Sequence, residues 1–311
     1  MHDRRLFAAL SLTALSLAAS PPAFGLANRV FVSQRSGNNA NSCDNITTPC
    51  QTFAGAIAQL NPGGEAIVLD SGGYGPVTIS QSVTIDAPPG VLAFIHPPSG
   101  TAITVHGSAA TVVLRGLTLD GGSASGIAWD GNGILQIENC VISGFAGAGI
   151  VANPTGTSKL SVKDTIVRSN GWVGVYLQSV SSGPPAYLEA SIDRCRIEDN
   201  AAAGVDLESP SLLAIVKAVV RDSVLASNQY GLFLDSNGLA DAFADSCSAS
   251  GNTTGMQAQG ISTLHVMGSS ISHNGSGLVQ SDIAFVETIG NNMVRGNGTE
   301  KSGTINVRSG D

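Results

Sequence analysis

A nine-residue segment recurs along this chain and restricts the folds that it can adopt. Eight copies lie between residues 113 and 297. In the later copies the nine positions are, in order, one apolar residue, two polar residues, one small residue, one residue of any type, one apolar residue, two polar residues and an asparagine. The ninth positions are Gly121, Phe145, Asn170, Asn200, Asn228, Asn252, Asn274 and Asn297, separated by 22 to 30 residues. A period of this length predicts one coil of a solenoid, with about three short strands per coil stacked about 4.8 Å apart.

The composition agrees with short strands joined by tight turns. The 311 residues include 38 glycines, while 12% are charged and 5% are aromatic. Such a chain is poorly suited to a helical bundle, and its 42% apolar content argues against disorder.

Two columns of the repeat predict structural roles. Asparagine suits a sharp bend, because it tolerates the left-handed conformation and can hydrogen-bond along a stack, so the Asn column is interpreted as a ladder. Five residues earlier lies a column of mostly small residues: Gly116, Cys140, Thr165, Cys195, Ser223, Cys247, Ser269 and Asn292. Its cysteines fall on alternate coils, roughly 9–10 Å apart, which exceeds disulfide reach. We predict three free, buried thiols, and the absence of histidine from the column disfavours a metal site.

The first 27 residues are typical of a secretory signal. Arg4 and Arg5 precede an apolar run from Leu6 to Ala19, and small residues follow at cleavage spacing. The alternative, an uncleaved membrane anchor, needs a longer run, and no later stretch reaches spanning length. Removing Asp3, Arg4 and Arg5 changes the formal charge from −8 to −9. The predicted location is secreted or periplasmic, and an acidic chain disfavours nucleic acid and anionic membranes as partners.

The segment before the coils has its own signals. Cys43 and Cys50 flank a six-residue loop, and we expect them to be bridged, since the exported compartment permits it. Thr52 to Leu60 is the one good helical stretch, with an apolar face that could cover the first coil. Asn61-Pro-Gly-Gly64 is expected to end it.

These residues resemble a known group of proteins. Phe31-Val-Ser33, the loop from Gly37 to Cys43, Pro49-Cys50 and Thr52 to Ile57 look like the start of pectate-lyase-like secreted β-helix proteins, and the repeats resemble the same superfamily. The resemblance implies an all-β fold, a single right-handed parallel β-helix of about ten coils with an N-terminal amphipathic capping helix. The predicted divisions are 1–27 (signal), 28–65 (strand, loop and helix) and 66–311 (β-helix). The superfamily includes lyases, hydrolases, esterases, adhesins and members without known chemistry, so function must come from a site.

One outer face carries the candidate site. Alternate residues after each Gly-aliphatic pair should face outward, and equivalent residues of successive coils then form two rows. One row ends with Tyr176, Asp206, Phe233 and Gln257, and the second ends with Gln178, Glu208, Asp235 and Gln259. The candidate ligand-binding residues are Tyr176, Asp206, Glu208, Phe233 and Asp235. Three close carboxylates could bind a cation such as Ca²⁺ or hold a raised pKa, and adjacent aromatic rings suit sugars. The alternative is a solvated polar face.

The function classes remain open. We expect a non-catalytic scaffold that binds polysaccharide or a cell-surface glycan and requires no cofactor. The first alternative is a polysaccharide-degrading enzyme using Asp206, Glu208 and Asp235; a hydrolase needs only paired carboxyls, whereas a lyase wants a base that neither row contains. The second alternative is an adhesin or spacer, oligomerising through an open last coil after Lys301.

A further column, seven residues before the Asn column, alternates in charge: Glu138, Lys163, Asp193, Arg221 and Asp245. Arg168 and Glu198 repeat the alternation five residues later. Both predict surface ion-pair ladders of small energetic value.

Overall fold

The computed structural model describes residues 25–107, 110–181, 183 and 185–308, which form a parallel β-solenoid. Each full coil contributes strands to three faces, here called the first, second and third faces. The first and second faces belong to one 20-stranded sheet, because the strands Tyr230–Asp245 and Thr254–Met267 run from one face into the other. The third face is a separate sheet of ten strands.

The strands are assigned to the faces as follows. On the first face lie Val77–Ile79, Ile103–Val105, Ile127–Trp129, Ile150–Ala152, Val175–Gln178, Ala203–Ser209, the first halves of Tyr230–Asp245 and Thr254–Met267, Ser276–Gln280 and Thr299–Ser302. On the second face lie Ala27–Val32, Leu60–Val68, Val83–Asp86, Ala110–Arg115, Gly133–Glu138, Ser158–Lys163, Ala186–Asp193, Ala214–Arg221, the second halves of the two long strands, Phe285–Thr288 and Ile305–Val307. On the third face lie Gly72–Gly73, Ala93–Ile95, Leu117–Asp120, Val141–Ser143, Ile166–Arg168, Arg196–Glu198, Val224–Ala226, Ser248–Ser250, Ser270–Ser272 and Met293–Arg295.

The front end joins the same solenoid. The strand Ala27–Val32 pairs in parallel with Leu60–Val68, which runs through the predicted division at residue 65. The helix is one short segment, Phe53–Ile57, rather than the predicted Thr52 to Leu60. It is shorter because Leu60 and the residues after it are taken into strand pairing. The apolar side was predicted correctly, since Phe53 and Ala56 are buried in the core.

The Cys43–Cys50 disulfide is present, as predicted. Next to the bridged loop, the Asn39 side-chain oxygen accepts hydrogen bonds from the backbone N–H groups of Gln51 and Thr52. The predicted signal lies, except for its last three residues, outside the described part of the chain. Within the described residues, no helix is long and apolar enough to cross a membrane.

The interior is filled by aliphatic side chains that repeat from coil to coil. Val175 and Leu177 on one coil and Val205 and Leu207 on the next are fully buried, in register. Because successive side chains of a strand point to opposite faces, the residues between them point outward. Burying each such side chain stabilises the fold by roughly 1.5–3 kcal/mol before conformational entropy is subtracted.

The asparagine ladder is confirmed. Each side-chain oxygen accepts a hydrogen bond from the backbone N–H of the ladder residue on the preceding coil, at 2.9–3.2 Å, from Asn170 through to Asn297. Most side-chain amides also donate to a backbone carbonyl of the preceding coil, as Asn252 does to Leu225 at 3.0 Å. The ladder therefore satisfies buried backbone groups that would otherwise be unpaired.

Three details of the repeat were predicted wrongly. The left-handed residue is the one before each asparagine, such as Ser169 with φ 54° or His273 with φ 58°, because this bend turns the following asparagine inward. At the first copy, Gly121 stacks on Gly144 rather than Phe145. Leu117, not Gly116, likewise shares a column with Cys140, because Val113 pairs with Gln136 rather than Ile137 and the first copy is offset by one residue.

The cysteine column is confirmed as free and buried at Cys140, Cys195 and Cys247. On the intervening coils, a hydroxyl accepts a hydrogen bond from the cysteine backbone N–H: Ser223 from Cys195 at 3.1 Å and Ser269 from Cys247 at 3.0 Å. The alternation of thiol and hydroxyl thus satisfies the turn without a metal or a disulfide.

The predicted ion-pair ladders form only in part. Arg221 lies 3.5 Å from Asp245, and Glu138 pairs with Arg115 at 2.9 Å. Asp193 instead pairs with Arg194, and Glu198 with Arg196 rather than Arg168, because these arginines reach the carboxylates with better geometry. Such exposed pairs contribute little to stability.

We predict that Asn228→Ala destabilises the fold by about 2–4 kcal/mol, because it leaves the buried N–H of Asn200 without an acceptor. Asn237→Ala is the matched control: Asn237 is exposed, and we expect a change below about 0.5 kcal/mol. Urea unfolding of both variants measures the difference. Equal midpoints would show that the ladder is not a stabilising element.

We also predict that the three free thiols are inert in the folded protein. Burial raises the pKa of Cys140 to about 12 and those of Cys195 and Cys247 to about 11, so almost no thiolate is present at about pH 8. A thiol reagent should modify none of them in the native protein and all three after unfolding. Rapid modification before unfolding would contradict the buried column.

Candidate functional site

The two outward rows are built as the sequence predicted. Tyr176 is in register with Asp206, which is in register with Phe233 on the next coil. In the second row, Glu208 is in register with Asp235. The parallel pairing places neighbouring members about 4.8 Å apart in the hydrogen-bonding direction. Asp206 therefore lies between two aromatic side chains, with two more carboxylates beside it.

Two further aromatic residues complete the surroundings of the carboxylates. Trp172, 42% exposed, lies against Tyr176 with ring centroids 4.7 Å apart and planes tilted by 46°. Tyr230 stacks on Phe233 at 4.4 Å with nearly parallel planes. Sequence reasoning missed both, although a tryptophan in a polar turn two residues after Asn170 was an available signal. The result is an aromatic pair on each side of Asp206.

The hydrogen bonding distinguishes the carboxylates. The Tyr176 hydroxyl donates to Glu208, not to its neighbour Asp206. One oxygen of Asp206 is consequently buried without a hydrogen-bond partner among the described residues. Burial, followed by repulsion from Glu208 and Asp235, raises the pKa of Asp206 to about 7. A substantial fraction of Asp206 is thus protonated near neutral pH and can donate a hydrogen bond.

The candidate site is acidic, and in the described part of the chain no cationic side chain pairs with its carboxyl groups. Burial and the charges of Glu208 and Asp282 raise the pKa of Asp235 as well. Burial and the neighbouring Glu208 also raise the pKa of Tyr176, which keeps its hydroxyl protonated as a donor. Within the described residues, no lysine, arginine or histidine forms an ion pair with Asp206, Glu208 or Asp235, whereas carboxylates in other columns commonly have such a partner.

The second row begins one coil earlier than the sequence indicated. His106 precedes Asp130 in this row, and its Nδ1 lies 2.7 Å from the Asp130 carboxylate. The row thus contains a basic side chain after all. It is four coils from Glu208, about 19 Å away, too far to act on a group bound at Asp206.

A protein-only metal centre is not formed in the described part of the chain, where no group of three His, Cys, Asp or Glu side chains is placed to hold a metal ion. A Ca²⁺ ion at the three carboxylates, which the sequence allows but does not require, therefore stays an untested possibility. Calcium at this face would need additional oxygen ligands, for example from a bound molecule.

These features define a class of protein, a parallel β-solenoid with an acidic and aromatic outer face. Residues 33–209 and 101–271 match the family model described as the right handed beta helix region, which together is more than half of the chain. The chain belongs to this family, as its repeats predicted. No curated protein matches the sequence.

Solved structures share the fold at low identity. Pectate lyase Pel9A superposes with a TM-score of 0.62 at 14% identity, covering 87% of this chain and 79% of the other. The alginate lyase from Paenibacillus sp. str. FPU-7 gives 0.51 at 14%, covering 90% and 100%. XylC in complex with xylose gives 0.51 at 10%, covering 81% and 69%. At such identities the similarity establishes the fold alone.

We predict that Asp206 makes stability fall with rising pH. Its carboxyl ionises near 3.8 when unfolded and near 7 when folded, so the folded state binds the extra proton between these values. The stability of the native protein relative to Asp206→Asn should fall by at most about 1.4 kcal/mol per pH unit between about pH 4.5 and 7. Asp222→Asn, at an exposed turn, is the control substitution of the same type, measured over the same pH range. A constant difference between native protein and Asp206→Asn would exclude the raised pKa.

Proposed function

We propose that this protein is an exported scaffold that binds an extended polysaccharide along the first face and needs no chemistry of its own. The observation that carries the proposal is the pair of aromatic contacts on the two sides of the carboxylate rows. Aromatic rings offer apolar faces to sugar C–H groups, while carboxylates accept hydrogen bonds from sugar hydroxyls. A flat face with both suits a polymer of sugars.

The second outward row indicates the direction in which a bound polysaccharide chain would lie. Asp130, Asn153, Gln178, Glu208, Asp235 and Gln259 succeed one another on consecutive coils, so acceptors and amide donors line the face parallel to the solenoid axis. A chain molecule lying along this axis would meet one polar side chain per coil. The neighbours named as a pectate lyase, an alginate lyase and a complex with xylose support a carbohydrate ligand.

The negative charge of the first face favours some classes of polysaccharide over others. Three carboxylates lie here, and none of them pairs with a cationic side chain of the described residues, so a polyuronate would be repelled unless Ca²⁺ bridged it to the face. Neutral polysaccharides and polymers of amino sugars carry no such penalty. We therefore propose a neutral or amino-sugar glycan as the ligand, in the medium or on a cell surface.

Export is part of the proposal. The signal-like first 27 residues support it, and the Cys43–Cys50 bridge is typical of oxidising compartments. The protein would then act outside the cytoplasm, secreted or in a periplasm, where polysaccharides are found.

Hydrolysis of the glycan is the second candidate function, favoured by one observation. Asp206 is protonated near neutral pH beside two other carboxyl groups, and an inverting hydrolase needs one protonated and one ionised carboxyl about 6.5–9.5 Å apart. Asp206 would protonate the leaving oxygen, and Glu208 or Asp235 would activate water. A lyase is less well supported, because no basic side chain in the described part of the chain pairs with the three carboxylates.

We predict that the purified protein binds neutral or amino-sugar polysaccharides, and that Trp172→Ala and Asp235→Asn each weaken binding about tenfold or more. Phe94→Ala, an exposed aromatic on the third face, and Asp222→Asn are controls that should bind normally. Isothermal titration against amino-sugar, neutral and uronate polymers, with and without Ca²⁺, measures this. Binding to none of them would leave a structural scaffold.

Sugar release separates the two candidates. If the protein only binds, no new reducing ends appear on prolonged incubation with a bound polymer. If reducing ends appear and both Asp206→Asn and Glu208→Gln abolish them while binding persists, the hydrolase is correct and the scaffold is not.

A further inference from the structure

The second face carries a column of large apolar side chains on its outer surface. Tyr187, Ile215, Leu239, Ile261 and Ile283 are in register or adjacent on five consecutive coils. Tyr187 is 40% exposed, Leu239 44% and Ile283 77%. Single exposed apolar residues need no explanation, but a contiguous row of five on a sheet face marks a contact surface.

The surface beside this column is concave. A shallow hollow of about 360 Å³ is lined by Ile215, Leu239, Ile261, Ile283 and Phe285. The next outward column adds Val219 and Phe243, the latter 37% exposed and stacked on His265. Apolar groups thus lie on both sides of a middle column.

The middle column is charged and alternates in sign: Lys159, Glu189, Lys217 and Asp241. Lys159 and Glu189 pair at 3.3 Å. Lys217 has no ion pair within the described residues, although it adjoins two carboxylates. One oxygen of Asp241 has no hydrogen-bond partner there and lies 3.4 Å from Nε2 of His265. The two central charges are therefore incompletely satisfied.

We propose that this face joins two copies of the chain in an antiparallel dimer, about a two-fold axis that passes between Lys217 and Asp241. Such an axis places Lys217 of each copy opposite Asp241 of the other. The axis runs along the strands and leaves each flanking column on its own side, so Ile215 meets Leu239 and Val219 meets Phe243, each contact occurring twice. A two-fold interface requires a self-complementary surface, and these residues form one.

The charge pattern favours a second copy over other partners. A polyanion or a polycation lying on this face would meet as many like as opposite charges. A two-fold related copy supplies opposite charges at the centre and apolar groups on both sides, so both the charges and the apolar columns gain complementary partners. The first face stays open in this dimer, so the glycan proposal does not depend on it.

Sedimentation velocity of the purified protein over a concentration series tests the proposal. We expect a dimer for the native protein and a monomer for Leu239→Lys, since the introduced charge would be buried opposite Ile215 of the other copy. Leu92→Lys is the matched control: Leu92 is 55% exposed on another part of the surface, and this variant should remain dimeric.

Exchanging the charges of residues 217 and 241 gives a variant that should regain the dimer, so that a loss of association in the single variant cannot be attributed to misfolding. Lys217→Asp alone should weaken the dimer at least about tenfold, because two aspartates then face each other across the axis. Adding Asp241→Lys should restore it. A monomeric native protein at every concentration overturns the proposal. So does a dimer that Leu239→Lys leaves intact, because association would then use another surface, such as the last coil.

Discussion

The hydrogen bonding between successive coils is the interaction on which the rest of this structure depends. Parallel pairing in register brings equivalent residues of neighbouring coils together, whatever those residues are. The same constraint would leave buried N–H groups unsatisfied at every bend. The asparagine ladder and the alternating hydroxyls beside Cys195 and Cys247 supply the missing acceptors, so the interior of the turns needs no water, metal or disulfide.

The strand pairing that holds equivalent residues of neighbouring coils together also explains the electrostatics of the first face. In water, carboxylates such as Asp206, Glu208 and Asp235 would separate, but strand pairing holds them together. The flanking rings of Tyr176 and Phe233 exclude water from Asp206, and the Tyr176 hydroxyl donates to Glu208 instead. Asp206 therefore carries most of the electrostatic cost, which appears as its raised pKa. A polar ligand that hydrogen-bonded to Asp206 would offset part of that cost.

The rows could be predicted before the structure was known because strand alternation and a fixed period are local rules. These rules predicted that one outer surface carries Tyr176, Asp206, Phe233, Glu208 and Asp235. They also predicted that the free thiols share another column. What could not be predicted lies where the chain leaves the strands. Trp172 reaches the site from the turn that enters the first face and Tyr230 from the first residue of its strand, and a period says nothing about how side chains at this entry fold over the face. The short helix has a similar origin, since pairing with Ala27–Val32 overrode helical preference after Ala58.

The sequence by itself determined the coil, the ladder and the residues that face outward, because each depends on a repeat of known period and on side-chain alternation. Only the tertiary structure decided which outward residues interact. It assigned the tyrosine hydroxyl to Glu208, left an oxygen of Asp206 unpaired, and placed Lys217 beside Asp241 between two apolar columns. These outcomes depend on side-chain rotamers and on distances between coils that are far apart in sequence, which a one-dimensional pattern does not contain.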